Sequence, residues 1–264
     1  MRERRCVHQF PLVTDTPHPV ALEPLARSKR SVGAKMRIKV FYHSSLDQLE
    51  PEKKSLLMER IVPQAVKYWE NIITVRNPVN NIKLNRRCKN NQYFLVPGES
   101  IQYCKEECVK TMCGEFEVPE SHLTDCHTCN SRGGDCAKQS DGGPGVSGVD
   151  FLLYVSSLTT EQCLQAVGGK AETVAYAAHC QQEEALDRPV AGHTNICPSA
   201  ISDIVGDRLT PFPHCLITGQ RHQQSPVDTQ ARTSTRLSLL PQSLCFLPRL
   251  RRSPEDAEAG EWEA

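Results

Sequence analysis

The sequence lacks the features that would mark a membrane-spanning protein or a binder of polyanions. No stretch approaches the roughly 20 apolar residues that a spanning helix needs. Lysine plus arginine and aspartate plus glutamate each number 31, so the formal net charge is zero and nothing favours nucleic acid as a partner. Aromatic residues make up only 6% of the chain, so we expect a mainly aliphatic core.

The start of the chain also lacks an export signal. Residues 1–5 read Met-Arg-Glu-Arg-Arg, and no apolar run of about 7–15 residues follows them. On this ground a cytoplasmic location stays an alternative.

Cysteine is abundant, and its distribution favours an oxidising compartment over the cytoplasm. The chain has 13 cysteines. Ten of them lie close together in its middle: Cys88, Cys104, Cys108, Cys113, Cys126, Cys129, Cys136, Cys163, Cys180 and Cys197. An even number at this density predicts a disulfide framework, which is typical of oxidising compartments, although the connectivity cannot be read from sequence. We therefore predict a protein of the secretory pathway, extracellular or membrane-associated, and we expect that its natural beginning is missing here.

Residues 1–30 form a pro-segment-like region that reads as extended. They are punctuated by proline and end in Arg27-Ser28-Lys29-Arg30. A basic run at Arg27, Lys29 and Arg30, just before the composition changes, predicts a cleavage site for a proprotein convertase, because processing concentrates in exposed connections. A solvated basic patch is the alternative.

A regular strand and a long helix follow. The apolar residues Met36, Ile38, Val40 and Tyr42 alternate with the charged Arg37 and Lys39, which predicts a half-buried strand. Pro51 suits the first turn of a helix. Apolar residues at spacings of three and four, including Leu57, Ile61 and Ala65, give that helix one apolar face as far as Ile72. Pro63 lies inside the pattern, so we expect it to bend or divide the helix.

The rest of the chain predicts a mixed architecture. Residues 77–148 read as a loop-rich, cysteine-rich insertion, and the glycines of 140–148 predict a flexible connection. Strands are predicted at 150–155, 174–178 and 189–196, with a short helix capped by Thr159 or Thr160 and running to Val167. This alternation predicts an α+β fold, close to α/β, with a mixed or mostly parallel sheet. Residues 202–264 are polar and rich in proline, which predicts a disordered tail.

Five segments together resemble one family. They are Ile61–Val66, Cys113-Gly114 with Val118-Pro119, Asp150–Val155, Tyr176–Cys180 and Arg188–Pro198. In this order they resemble the leishmanolysin-like, invadolysin-type zinc metallopeptidases of the metzincin class, over roughly residues 35–201. The resemblance implies that residues 31–201 are an incomplete metzincin N-terminal subdomain, with a twisted mixed sheet and one long helix.

The resemblance also implies an activity that the residues present do not support. The family consists of zinc endopeptidases acting on proteins or peptides, is associated with cell adhesion and migration, and binds one zinc ion through a helix bearing His-Glu-x-x-His. No such motif occurs in the 264 residues, and none of the nine histidines has another four residues away. We therefore assign no catalytic and no zinc-binding residue, and we predict a truncated form that is inactive alone.

Two other functions stay open beside this prediction. The chain could act as a non-catalytic decoy that binds substrates or adhesion-related proteins. It could equally be an incomplete gene product without a stable fold.

Cys6 is the candidate for a regulatory thiol. Arg5-Cys6-Val7-His8 resembles the cysteine motif of the family's pro-segment, which implies a zymogen switch in which the thiolate occupies the open position on zinc. An incidental thiol is the alternative.

Two alternative interpretations involve the central cysteines. Cys104, Cys108, Cys126 and Cys129, with His127 nearby, approach the spacing of a four-cysteine structural zinc site. Cys126-His127-Thr128-Cys129 also has the spacing of a redox pair, although no suitable strand precedes it.

Overall fold

The structure is a computed structural model that describes residues 5–8, 20–22, 33–96, 99, 101–164, 173–184 and 187–201. For residues 5–8 it describes the backbone. The strands are β1 Arg5–His8, β2 Ala34–Lys35, β3 Ile38–Tyr42, β4 Thr74–Val75, β5 Asn81–Ile82, β6 Arg87–Cys88, β7 Tyr93–Leu95, β8 Gln102–Lys105, β9 Cys108–Val109, β10 Met112–Cys113, β11 Phe116–Glu117, β12 Cys126–Cys129, β13 Ala137–Ser140, β14 Val146–Ser147, β15 Phe151–Ser156, β16 Thr173–Gln182 and β17 Pro189–Ile196.

The helices are α1 Pro51–Ser55, α2 Val62–Ile72 and α3 Glu161–Leu164, and a π-helical segment Leu56–Ile61 joins α1 to α2. Short 3₁₀ helices occupy Ser44–Gln48, Lys89–Asn91, Glu120–His122 and Pro198–Ala200.

A five-stranded sheet organises the molecule, in the order β1-β16-β17-β15-β3. Strands β3, β15 and β17 are parallel, whereas β16 runs antiparallel to β17. Leu153 of β15 lies opposite Val40 on one side and Gly192 on the other. The predicted mixed sheet and the α+β class are confirmed.

The long helix covers one face of this sheet and forms the first core. Leu57, Ile61, Ala65 and Trp69 are buried there against Phe151, Leu153 and Val155 of β15. Pro51 begins the helix, as predicted. Pro63 has no N–H to donate to the preceding turn, and the π-helical segment directly before α2 accommodates that missing hydrogen bond. The proline therefore divides the helix without ending it.

The other face of the sheet carries the second core, which is covered by the cysteine-rich region. Leu152 and Tyr154 of β15 point to it, with Ile82, Leu84, Phe116 and Leu123 packed above them. The cysteine-rich region is built of short strands, and four of them pair in the separate sheet β13-β12-β8-β7. The carboxylate of Asp150, which is fully buried, accepts hydrogen bonds from Arg37 Nε and from the backbone N–H of Val79. These bonds connect the cysteine-rich region to the sheet.

Three predictions about elements need correction. The connection at 140–148 is held in place rather than flexible, since Gly143 N–H donates to Leu123 O and Gly145 N–H to Ser121 O. A Cβ on Gly143 would lie 2.2 Å from Ser121 Cα, so these glycines permit close backbone approach. β16 continues to Gln182, well beyond the predicted end at 178. Residues 77–148 form paired strands in addition to loops.

Two predictions fall wholly or partly outside the described residues. The short helix after Thr160 is present as Glu161–Leu164, but its predicted continuation to Val167 is not described. The predicted disordered tail at 202–264 is also not described. No helix in the described ranges is both long and apolar enough to cross a membrane.

Candidate functional site

The candidate site lies along β16 and the structures that fix it. β16 is the strand antiparallel to its neighbour β17, and its other side faces the N-terminal segment. Backbone residues 5–8 run parallel to it, with Cys6 opposite Ala175 and His8 opposite Ala177. Val20 forms a second parallel contact further along, at Glu183. The N-terminal segment therefore lines β16 at both ends.

The turn that connects β16 to β17 is fixed by a buried ion pair. Arg188 is 1% and Glu183 4% exposed. Arg188 Nε donates to Glu183 Oε2 at 2.9 Å, and Arg188 Nη1 donates to Asp150 O at 2.8 Å. Glu183 N–H donates in turn to Arg188 O. Removing either partner would leave a buried charge without compensation, so the pair specifies this turn.

Glu115 is brought to the sheet by the turn between β10 and β11. Gly114 has a φ of +60°, and a Cβ there would lie 2.1 Å from His193 Nδ1. Only glycine satisfies both the backbone conformation and the close approach of the ring. Cys113, directly before it, is bonded to Cys180 of β16, which anchors the turn over the sheet.

Glu115, Tyr176 and His193 form a polar cluster on the sheet face. Tyr176 Oη donates to Glu115 Oε1 at 2.5 Å, and His193 Nδ1 lies 3.5 Å from Glu115 Oε2. Burial acts to raise the pKa of Glu115, but His193 and Tyr176 together outweigh it and lower that pKa. Burial, and then the hydrogen bond to Glu115, raise the pKa of Tyr176. The cluster thus holds an ionised carboxylate between a neutral phenol and an imidazole.

The cysteine framework is present in full across the middle of the chain. The disulfides are Cys88–Cys104, Cys108–Cys126, Cys113–Cys180, Cys129–Cys136 and Cys163–Cys197. They join all ten cysteines of that region. Their presence indicates an oxidising, secretory-type environment.

These pairings are incompatible with both alternative interpretations of the central cysteines. Cys104, Cys108, Cys126 and Cys129 all belong to disulfides, so they are not available as thiolate ligands and the structural zinc site is wrong. Cys126 and Cys129 are bonded to Cys108 and Cys136 and not to each other, so the redox-pair interpretation is also wrong.

The described residues do not fit a catalytic zinc ion. Two of the described histidines have other partners: His43 Nδ1 accepts from Ser45 N–H, and His122 Nδ1 lies 2.9 Å from Tyr154 Oη. Within the described ranges no three His, Cys, Asp or Glu side chains are grouped so that they could hold a metal. No chemical step through a metal can be derived from them.

The two N-terminal predictions stay predictions. Cys6 is placed by its backbone opposite Ala175, and its thiol lies outside the description. Arg27, Lys29 and Arg30 lie outside the described residues.

Sequence reasoning missed the Glu115–Tyr176–His193 cluster. Tyr176 and Glu115 are 61 positions apart and carry no shared motif. The one available signal was Cys113-Gly114 directly before Glu115, since a glycine beside a bonded cysteine marks a constrained turn.

Comparison with known proteins finds similar sequences among peptidases. The chain is 40% identical to the leishmanolysin-like peptidase of Drosophila melanogaster over 216 residues, covering 75% of this chain and 30% of that protein. It is 39% identical to the leishmanolysin-like peptidase of Caenorhabditis elegans over 170 residues, covering 64% of this chain and 25% of that one. A ciliated left-right organizer metallopeptidase of Danio rerio is 31% identical over 156 residues, covering 58% and 21%.

The chain therefore spans less than a third of the length of these relatives. No protein-family model matches it.

Proposed function

Because the chain belongs to the leishmanolysin-like metallopeptidase family, we propose that residues 31–201 form the N-terminal part of a zinc endopeptidase domain. In this proposal residues 1–30 are its pro-segment, residues 77–148 its cysteine-rich insertion, and residues 202–264 a divergent tail. The substrates are proteins or peptides, and zinc is the cofactor of the complete domain. The protein belongs to the secretory pathway, where the five disulfides are stable.

One observation carries the proposal. The five-stranded sheet has a long strand, β16, antiparallel to its neighbour and accompanied on its other side by a segment of extended backbone. Backbone pairing of this kind is a general way to hold an extended peptide, with hydrogen bonds giving affinity and side chains giving selectivity. A peptidase needs such a strand to align its substrate.

These 264 residues by themselves hydrolyse no peptide in this proposal. The sequence contains no His-Glu-x-x-His, and within the described residues no three His, Cys, Asp or Glu side chains are grouped to hold a metal. A zinc peptidase generates its nucleophile by lowering the pKa of a metal-bound water, which requires such a set of ligands.

The test compares three purified proteins made in a secretory host. The first is this 264-residue chain, the second is the Drosophila relative, and the third is that relative with its matching portion replaced by residues 31–201 of this chain. Each is incubated with fluorescent casein and Zn²⁺, with and without a chelator. We expect chelator-sensitive cleavage by the second and third proteins and none by the first.

Two outcomes would contradict the proposal. Chelator-sensitive cleavage by the 264-residue chain would show that it carries its own catalytic site. A folded, secreted chimera without activity, beside an active parent, would show that residues 31–201 are not a working part of a peptidase domain.

A non-catalytic binding role is the second candidate, and one observation favours it. The described residues form two hydrophobic cores and five disulfides, which together hold β16 in place. A stable scaffold with a peptide-pairing strand could bind substrates, or proteins involved in adhesion, without cleaving them. Binding of uncleaved casein by the inactive chain would separate this role from a peptidase fragment.

A further inference from the structure

The N-terminal segment contacts β16 at two separate places. β1 pairs with β16 between Thr173 and Ala177, and Val20 bridges to Glu183 beyond the other end of the strand. Both contacts are parallel. The N-terminal segment is thus attached near both ends of β16.

The contact at Val20 is a fully formed docking interaction. Val20 is 2% exposed and belongs to the second core. Its N–H donates to Gln182 O at 2.8 Å, and its carbonyl accepts from Glu184 N–H at 3.0 Å. Leu22 packs against the same core, whereas Ala21 between them is exposed. This in–out–in alternation is that of an added β-strand.

The surface that receives Val20 is rigid. Cys180, which shortly precedes Glu183 in the chain, is bonded to Cys113. Glu183, directly opposite Val20, is held by its buried ion pair with Arg188. A receptor that is already ordered loses little conformational entropy when a peptide docks on it.

We propose that the end of β16 and the adjoining second core form a docking site for an extended peptide with aliphatic residues at alternate positions, and that residues 20–22 are its resident ligand. A cut in the chain between Leu22 and Gly33 then leaves the N-terminal fragment bound. The contact of β1 with β16 adds a second attachment, which raises the effective concentration of the first.

The basic run Arg27-Ser28-Lys29-Arg30 lies in that interval. If the chain is processed there, as the sequence predicts, cleavage alone does not clear β16, and release needs a further step. The docking site itself stands whether or not natural processing occurs, because it depends only on contacts of residues 20–22.

The experiment tests the docking of residues 20–22 separately from natural processing at the basic run, because the chain is cut at an introduced site. A recognition sequence for a site-specific viral protease is inserted after Arg30 in the full chain, the purified protein is cut, and the products are followed by native mass spectrometry and size-exclusion chromatography. We expect the fragment to stay bound in the native background. In Val20→Asp we expect it to dissociate about ten- to a hundredfold faster, because a buried valine is replaced by a charge.

Ala21→Asp is the matched control, since it adds the same charge one residue away at an exposed position, and it should retain the fragment. Should Val20→Asp fail to fold before cleavage, Val20→Ala gives a graded increase in release. The proposal is overturned if the native fragment leaves at once on cutting, or if the Val20 variants release it no faster than Ala21→Asp.

Discussion

The two faces of the central sheet are covered by different means. On one face, a helix running from Pro51 to Ile72 packs aliphatic side chains over β3 and β15. On the other, strands that are mostly two to four residues long are joined to one another and to the sheet by disulfides. One disulfide, Cys163–Cys197, belongs to the helix-covered core.

The difference between the two faces shows what a short strand needs in order to stay folded. An isolated two-stranded hairpin is marginal in water, because its few hydrogen bonds do not offset the entropy of ordering its residues. Cross-links reduce the entropy of the unfolded chain and supply the missing stability. A long amphipathic helix buries enough apolar area to need no such help.

The largest effect should come from cutting the covalent link between cover and sheet. Cys113 and Cys180 close a loop with a sequence separation of 67. Replacing both with serine should lower the free energy of unfolding by about 4 kcal/mol on the chain-entropy argument. Urea unfolding followed by circular dichroism measures it.

The control for that change is the pair Cys129 and Cys136, whose sequence separation is only 7. The same double replacement there should cost about 2.5 kcal/mol. Equal losses for the two pairs would mean that loop length does not explain how this face is held.

A smaller loss should follow from a cavity under the helix. Leu57 is fully buried in the first core, and Leu57→Ala should lower the free energy of unfolding by about 3 kcal/mol through lost burial and an unfilled cavity. Leu164 is 73% exposed, so Leu164→Ala should be nearly neutral in the same urea assay. If Leu57→Ala proved as mild as Leu164→Ala, the helix would not depend on packing as we describe.

The smallest effect concerns pH and the second core. Burial, helped by Lys39, lowers the pKa of His122 in the folded protein. The unfolded state therefore takes up a proton first as the pH falls below about 6.5, and the folded state loses stability from there down to its own lower pKa. In His122→Gln the dependence of the unfolding free energy on pH between 7 and 5 should flatten.

Tyr154→Phe distinguishes the cause of that shift. It removes the hydroxyl that lies 2.9 Å from His122 Nδ1 but leaves the histidine buried. The acid sensitivity should persist in this variant, because burial is the main cause. A flattened profile in Tyr154→Phe would assign the shift to the hydrogen bond instead.

The helix-covered face was largely predictable because its order is local. Apolar spacing indicated the helix from Pro51 to Ile72, Pro63 indicated its interruption, and β17 runs from Pro189 to Ile196 as predicted. In each case the signal lies within one element. β16 was predicted too short because Gln181 and Gln182 are polar, yet Gln181 is buried, where its side chain pairs with the backbone of Asn85.

The cysteine-rich face was less predictable because its order is long-range. The number of cysteines indicated disulfides, but their partners depend on how distant segments meet. A glycine in a sequence can indicate either a flexible segment or a close approach of two backbones, and Gly143 is a case of close approach. Glu115 and His193 meet only because the Cys113–Cys180 bond and Gly114 bring the turn onto the sheet.

The Cys163–Cys197 bond has a consequence for how this protein can be remodelled. It bonds Cys197, directly after β17, to Cys163 of α3, and Ala200 and Ile201 are buried in the first core shortly afterwards. The segment after β17 is therefore fixed twice, by the disulfide at Cys197 and by the burial of Ala200 and Ile201. We expect that a different sequence joined after Ile201 would leave the first core intact.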